Sequence, residues 1–554
     1  MVETHFTSTV ARVVSPRCAW ILLSFLAANA GLFSASVALL PSSFTFYTTT
    51  LALSYAFEPA VSPDFPASPH LPAPRSPAPR SPAPRPNRTL KATLAFALGA
   101  LLAWPFALVL SLPFVFEELF FYSGNVLRPQ RWSQLVISRA TAFTKAALYA
   151  SLLVVPLLTI DTLFYGKLAL VPWNIITYNV LSAQRGAGPE LYGTEPAWFY
   201  FANLGLNVGP IILVLALMTA PVLILDRLTS TSRYSDPSSK EAQGSSRLSL
   251  LLLRTAPFYV WLGLLSTQPH KEERFMFPAY ASLCFNAALS LDTSIILAEQ
   301  VMPHSRQQNT ASKLPTRLLA TPVLFCSAAF AVLRICGTIA SFHAPFTVLH
   351  HLNSNSADIH ASSPHGLSVC YGKEWYRFPS SFFLPDDDSL EFVKSAFDGI
   401  LPKHFYDGRS DLAIKHEKDT ITASMDALVG WTIPDHLASR TRAWQTGFND
   451  MNREEPDRYV NVTTQCHLLV DSGDLSATVP ASEPRYVDDT SHWQRLRCEP
   501  FLDAEASKQS AVGRSLAFKL AQTLARTLWA PAEVRRRLGL RYRDYCLLRN
   551  RHLP

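Results

Sequence analysis

The sequence predicts a mostly α multispanning membrane protein with a C-terminal α+β domain, and three observations predict it. Apolar runs approaching the roughly 20 residues that cross a hydrocarbon core crowd into the part of the chain before residue 342. Only 16% of the 554 residues are charged and 48% are apolar, a balance that excludes a disordered tail, a nucleic-acid arm and a small disulfide scaffold. The mean hydropathy of +0.12 is too high for most water-soluble chains and too low for one embedded from end to end. The net charge of +7, from 49 basic and 42 acidic residues, is too slight an excess to imply a nucleic-acid partner.

The apolar runs lie at residues 20–40, 44–57, 92–116, 140–160, 197–225, 248–265, 275–297 and 318–341. Backbone groups in lipid must pair internally, so each is expected to be helical. The first has features of an export signal, since Arg12 and Arg17 precede an apolar core and Ser36-Val37-Ala38 resembles a small-residue cleavage site. Its length, and the Pro41-Ser42-Ser43 turn into the next run, favour an uncleaved helix.

Orientation follows from Lys and Arg in short loops, which prefer the cytosol. Residues 75–91, 227–247 and 306–317 are such loops, and Arg128, Arg131 and Arg139 mark a fourth. With all four cytosolic, the segment from 91 to 128 enters and returns on one side, breaking at Trp104-Pro105 and Pro113. Loops 161–196 and 266–274, and everything after Ser341, then face the lumen. The acceptor pattern Asn461-Val462-Thr463 agrees, because such an asparagine is modified only in the secretory lumen. The same pattern at Asn87-Arg88-Thr89 falls in a loop read as cytosolic and is predicted unused.

The domains expected are N-terminal membrane helices over 1–58, a Pro-rich cytosolic linker over 59–90, a transmembrane region over 91–341 and a luminal domain over 342–554. The linker repeats Ser-Pro-Ala-Pro-Arg at 76–80 and 81–85, a composition that favours an extended, solvated spacer. The last domain mixes a strand-like run at 466–470 with a helical one at 515–529. It holds Cys370, Cys466, Cys498 and Cys546, which an oxidising lumen lets pair in any of three connectivities.

No phosphate-cradling Gly loop, zinc-spaced Cys/His set or serine elbow occurs. What stands out is Gln268-Pro269-His270-Lys271-Glu272-Glu273-Arg274-Phe275, five ionisable side chains in a turn between two apolar runs. A solvated turn is one reading. The functional one gives His270, Lys271 and Arg274 a phosphate to hold by charge-assisted hydrogen bonds, with Glu272 and Glu273 orienting them or accepting sugar hydroxyls. The other luminal loop supplies Tyr178, Asn179, Glu190, Tyr192, Glu195 and Trp198, aromatic faces beside amides and carboxylates that suit a sugar. An aromatic belt at the membrane interface is the plainer role for Tyr192, Trp198 and Tyr200. Lys373, Glu374 and Arg377 read either as a local ion-pair group or as a contact to an acceptor.

The string His270-Lys271-Glu272-Glu273-Arg274-Phe275 resembles the most characteristic motif of the multispanning mannosyltransferases that use dolichyl-phosphate mannose, glycosyltransferase family 22 of the GT-C fold. Gly188-Pro189-Glu190-Leu191-Tyr192-Gly193-Thr194-Glu195-Pro196 and the stretch from Gly372-Lys373-Glu374-Trp375 to Phe382 resemble the branch that builds the lipid-linked N-glycan precursor. Leu40-Pro41-Ser42-Ser43-Phe44 and Tyr165-Gly166-Lys167 fit as well, and the likeness runs from about residue 30 to about 505. It implies a GT-C-like fold in the endoplasmic-reticulum membrane and transfer of mannose in α-1,2 linkage onto the dolichyl-diphosphate oligosaccharide. Both lipids, with the membrane itself, are the implied partners. A β-linked donor and an α-linked product imply inversion in one displacement, with no cofactor or metal. His270, Lys271 and Arg274 would steady the leaving phosphate.

The resemblance also implies an acidic luminal loop after a first membrane helix, carrying the general base. Before residue 20 the only acid is Glu3, so no residue is assigned as the catalytic base. The expectation is a chain that enters the family pattern midway. The alternatives are a catalytically deficient relative serving as an assembly or lipid-glycan-binding subunit, and a relative of the GPI-anchor mannosyltransferases. Asp161, Glu190, Glu195, Glu272 and Glu273 are the luminal acids near a membrane edge.

Overall fold

The computed structural model describes residues 1–58, 87–121, 132–165, 168–181, 188–231, 240–301, 314–360, 366–402, 451–473 and 483–553. The Pro-rich stretch 59–86, Arg128, Arg131, Gly166-Lys167 and most of the third basic loop lie outside them. Two compact units divide the chain after Ala331.

The first unit opens with α1 (Val2–Val13) and α2 (Pro16–Ala27). Pro16 takes the first helical position, where a missing N–H is no loss, and the Ser15 side chain caps the helix by accepting from Cys18 N at 2.9 Å. The single helix expected over 20–40 is instead two. Asn29 sits in mid-run and accepts from Leu32 N at 2.9 Å, which starts α3 (Ala30–Ala35) with its own cap. Then α4 (Pro41–Phe57) packs on α5 (Arg88–Leu102) at Gly99, where a Cβ would collide with the Thr48 side chain. The expected break at Trp104-Pro105 is present, and a 3₁₀ turn (Pro105–Ser111), α6 (Leu112–Phe116) and a π turn (Glu117–Phe121) follow it.

Next come α7 (Trp132–Ser151), α8 (Val154–Tyr165) and α9 (Val171–Ile176). The run expected as one span over 197–225 becomes α10 (Phe199–Asn207), α11 (Pro210–Leu217) and α12 (Thr219–Thr231). Gly209 with φ +94° breaks it once, and α11 and α12 meet at 51°. Two long helices, α13 (Lys240–Thr267) and α14 (Tyr280–Val301), precede α15 (Leu314–Phe342). Among the described residues, Val136–Thr162, Leu248–Thr267, Glu273–Gln300 and Leu318–Phe342 are long and apolar enough to cross a membrane, and the bent α11–α12 pair adds a fifth. Every residue from 276 to 293 is buried. Ala281, Ser282, Ala287, Ala288 and Ser290 on α14 let neighbouring helices approach closely.

Arg88 and Arg139, counted from sequence as loop charges, are inside. Glu117 lies between Arg88 and Arg254, with Arg254 Nη2 at 3.1 Å, and Glu118 pairs with Arg88 at 2.9 Å and Arg139 at 3.2 Å. Two acids in an apolar run are tolerated in the interior only with counter-charges, and these arginines supply them.

The second unit begins with the last turns of α15, continues through α16 (Ala344–Ser354) and α17 (Ser356–Ile359), and is built on a five-stranded sheet. Its strands are β1 (Ser368–Tyr371), β2 (Ser389–Phe392), β3 (Leu468–Ser472), β4 (Trp493–Asp503) and β5 (Arg541–Asn550), in the order β2-β1-β3-β5-β4. The β1–β2 and β1–β3 pairs are parallel, whereas β5 runs antiparallel to β3 and β4. Side chains alternate across it. Val369, Tyr371, Leu468, Val470, Tyr545 and Leu547 form one face with Val348 and Leu352 of α16. Cys370, Leu469, Cys546 and Leu548 point the other way. There the four cysteines resolve into Cys370–Cys466 and Cys498–Cys546. The last helices are α18 (Ala504–Gln509), α19 (Leu516–Thr527) and α20 (Ala532–Arg537).

Candidate active site

Two loops of the first unit are laced together. Gly188 and Gly193, at φ +134° and +100°, bracket a short 3₁₀ turn (Pro189–Tyr192) in backbone conformations that other residues rarely adopt. The strand of chain after it meets the turn following α13, with Glu195 N donating to Pro269 O at 2.9 Å. Lys271 reaches inward, giving its ammonium to Glu195 O at 2.8 Å and to Gln268 O, and is only 6% exposed. His270 Nδ1 lies 2.8 Å from Gly193 O, so this nitrogen carries the ring proton, because a carbonyl can only accept. Its Nε2 sits 3.2 Å from Glu272 Oε1.

Behind these loops the apolar helices hold the backbone. Tyr200 Oη donates to Glu272 O at 3.3 Å and Trp261 Nε1 to Phe275 O at 2.9 Å. Asn203 Nδ2 donates to Glu273 Oε2 at 3.3 Å. Arg274 grips Glu272 at two points, Nε to Oε2 at 2.6 Å and Nη2 to Oε1 at 2.8 Å, yet its side chain stays 46% exposed. The three cations expected to converge on one phosphate therefore sit differently. Lys271 is committed to backbone carbonyls, His270 joins the two loops, and Arg274 presents a guanidinium to the outside.

Replacing Lys271 with methionine keeps the stem and removes the ammonium. We expect the 188–196 loop to loosen by on the order of 1 kcal/mol, the usual loss when hydrogen bonds to partly buried carbonyls are removed. Hydrogen exchange at the Glu195 amide reads it directly; unchanged protection there would remove Lys271 from this role.

The other residues singled out from sequence are distributed more widely. Glu190, on the 3₁₀ turn, is exposed, as are Tyr192, Glu195 and Trp198. The Tyr192 ring lies 6.2 Å from that of His270. Tyr178 and Asn179 fall on the π turn Thr177–Leu181, where Asn179 Nδ2 donates to Ile175 O at 2.8 Å, and α9 beside them packs against the Pro105–Ser111 turn. Asn461 is exposed, its Oδ1 accepting from Thr463 N at 3.0 Å and from the Thr463 hydroxyl at 2.7 Å.

Lys373, Glu374 and Arg377 are brought together in the second unit, just past β1 and beside the end of β3. Lys373 Nζ is 3.5 Å from Asp471 Oδ1, buried Glu374 accepts from Ser472 Oγ at 2.6 Å and pairs with Arg377, and the Arg377 guanidinium covers the rings of Tyr376 and Phe501. Burial pushes the Asp471 carboxyl up from 3.8 to about 6, with Lys373 pulling the other way.

That shift has a sign. A carboxyl that holds its proton more tightly in the fold stabilises it fully below 3.8, and the contribution is lost as pH rises through about 6. The second unit should weaken by on the order of 1–3 kcal/mol across that window. Asp471→Asn should flatten the dependence, read as hydrogen exchange of β3 and β5 amides corrected for intrinsic rates. An identical pH slope in the variant would contradict it.

Sequence inspection passed over the Glu117–Arg254 contact. Its signal was present as Phe116-Glu117-Glu118-Leu119, two adjacent acids inside an apolar run.

With this geometry established, residues 1–385 match the model of the Alg9-like mannosyltransferase family. The chain is 34% identical over 508 residues to Alpha-1,2-mannosyltransferase alg9 of Schizosaccharomyces pombe, covering 91% of this chain and 74% of the relative. It is 32% identical over 511 residues to Alpha-1,2-mannosyltransferase ALG9 of Mus musculus and to that of Homo sapiens, covering 92% of this chain and 69% of each relative. No solved structure matches the chain.

Proposed function

The chain belongs to the Alg9-like mannosyltransferase family, and on that premise we propose that it transfers mannose in α-1,2 linkage from dolichyl-phosphate mannose onto the dolichyl-diphosphate oligosaccharide that precedes N-glycosylation. The observation that carries the residue assignment is the state of Arg274. Its guanidinium is outward, held at two points by Glu272, on a turn that Lys271 and His270 tie to a second loop.

In a single inverting displacement the acceptor hydroxyl gives its proton to a general base and its oxygen bonds to the anomeric carbon as the bond to the dolichyl-phosphate oxygen breaks, and the leaving phosphate gains negative charge. A guanidinium matches two phosphate oxygens with two parallel N–H bonds. Glu272 aims it in advance, so little reorganisation is needed as the charge develops. His270, anchored through Nδ1 to Gly193 O, holds the turn that carries Glu272 and Arg274 against the second loop. Exposed Tyr192 and Trp198 offer faces on which a sugar stacks.

Cysteine chemistry supports a compartment for each unit. Both disulfides lie in the second unit, while Cys18, Cys284, Cys326 and Cys336 on the apolar helices are free, which fits a second unit in an oxidising lumen and a chain in the endoplasmic-reticulum membrane. Asn461 should then carry a glycan. Asn461→Gln should abolish one deglycosylation-dependent mobility shift; a shift that persists unchanged would put the acceptor elsewhere.

Microsomes from cells lacking their own enzyme of this kind, expressing this chain, test the activity. Given labelled dolichyl-phosphate mannose and lipid-linked oligosaccharide, they should yield a product whose new mannose is released by an α-1,2-specific mannosidase. A correctly folded chain that transfers nothing would leave the assembly-subunit alternative instead.

A further inference from the structure

Helix α19 is arranged inside out for a helix in water. The side packed on its own unit carries Gln522, 2% exposed, whose amide donates to Ser507 O at 2.8 Å and Leu538 O at 2.9 Å, with Ala525 beside it. The outward side carries Leu516, Leu520 and Leu524, 73%, 58% and 53% exposed, and a spacing of four puts these three on one stripe; Val512, 77% exposed, lies in the turn before the helix. Apolar area left in water is unfavourable in proportion to its extent, and the ordinary arrangement would bury the leucines and expose the glutamine.

Charge and position point to what covers the stripe. Arg514, Lys519 and Arg526 flank it, Arg535-Arg536-Arg537 follow on α20, and no acid occurs between Glu505 and Glu533. The exit of α19 is fastened to α15. Trp529 N donates to Leu333 O at 2.8 Å, Arg334 Nη1 donates to Thr527 O at 3.0 Å, and a Cβ on Gly337 would lie 2.6 Å from the Leu528 carbonyl carbon. Leu333 and Gly337 belong to the apolar span Leu318–Phe342. At the helical rise they lie roughly 8–14 Å from its Phe342 end, the depth of the headgroup and outer acyl region. Val332 and Ile339 on α15 and Trp529 add further exposed apolar surface along this part of the chain.

We propose that Val512 to Trp529 lies in the plane of the bilayer, its leucine stripe among the acyl chains and its basic flanks on anionic lipid headgroups. The second unit is then held to the membrane surface by an interfacial helix as well as by α15. Lipid is favoured over a protein partner because the end of α19 is fastened to a membrane span and the residues flanking the stripe on the helix carry only positive charge. The inference depends on α15 crossing the membrane and not on the transfer reaction.

The full chain, with Cys326 and Cys336 changed to serine, is reconstituted in liposomes of phosphatidylcholine and phosphatidylserine with iodide on both sides. Bimane is attached to Leu520→Cys, or to Leu516→Cys as a second outward site, and to Lys508→Cys on exposed α18 as the aqueous control. Nitroxide-bearing lipid should quench the 520 and 516 probes several-fold more than the 508 probe, and iodide should quench them several-fold less. Omitting phosphatidylserine should reduce the lipid quenching. Equal iodide quenching at 520 and 508 would overturn the proposal. So would a cross-link between two copies at 520 without lipid quenching, which would identify a second copy as the occupant. Lipid quenching that ignores phosphatidylserine would overturn the headgroup contact.

Discussion

Mannosyl transfer by the Arg274→Ala variant should fall by roughly 10²–10³-fold, the range seen when one preorganised donor to a developing charge is removed. The physical reason is specific to this side chain. Lys271 is spent on backbone carbonyls and His270 joins two loops, so Arg274, held by Glu272 and 46% exposed, is the cation of the trio whose guanidinium stays open to the outside. Its loss should leave the fold intact, since an exposed ion pair contributes about 0–1 kcal/mol. Arg274→Lys should recover only part of the rate, because an ammonium is a point charge that cannot make the two-point contact. The measurement is transfer from dolichyl-phosphate mannose alongside a thermal-stability profile. A normally folded Arg274→Ala chain that transfers at the parent rate would end the assignment of the leaving phosphate to this residue.

The second large effect is on stability. Glu117→Ala should destabilise the first unit by about 3–5 kcal/mol, the loss expected when one partner of a buried ion pair is removed and the other charge is stranded. Here the stranded charge is Arg254, 5% exposed, whose guanidinium faces this carboxylate, whereas Arg88, also 5% exposed, keeps Glu118 at 2.9 Å. Combining Arg88→Met, Glu117→Leu and Arg254→Met should recover much of the loss, since well-packed apolar residues can replace a buried ionic group at little cost. Melting of purified chains in detergent decides it. Equal melting of the parent and Glu117→Ala would mean that water already solvates this group; a triple variant no better than the single one would mean that the charges have a role beyond neutralising each other.

Much of the helical layout was legible because lipid imposes a local rule: a helix must satisfy its own backbone, and an apolar run of given length announces it. The spans at 248–265, 275–297 and 318–341 and the break at Trp104-Pro105 were read this way. The divided run at 20–40 was missed because a single Asn29 cap outweighed an apolar average. The unit of chain after α15 was legible in kind, since 466–470 and 515–529 fall close to β3 and α19, but its strand order and cysteine pairing join residues far apart in sequence. The site was legible as a motif and opaque as a geometry. Five adjacent ionisable residues give no sign of which one turns inward, because that depends on whether carbonyls such as Glu195 O arrive from another loop.

By itself the sequence determined that this chain is helical and built for a membrane, that it carries a C-terminal α+β unit, and that its chemistry resembles that of the mannosyltransferases. Those properties rest on composition, periodicity and contiguous motifs, which are local. Only the tertiary structure decided that Lys271 is structural while Arg274 is presented, that Arg88 and Arg139 are interior counter-ions, and that α19 turns its leucines outward. Each of these depends on a partner brought in from a distant segment, and the energy of a charge or an apolar face is set by what surrounds it.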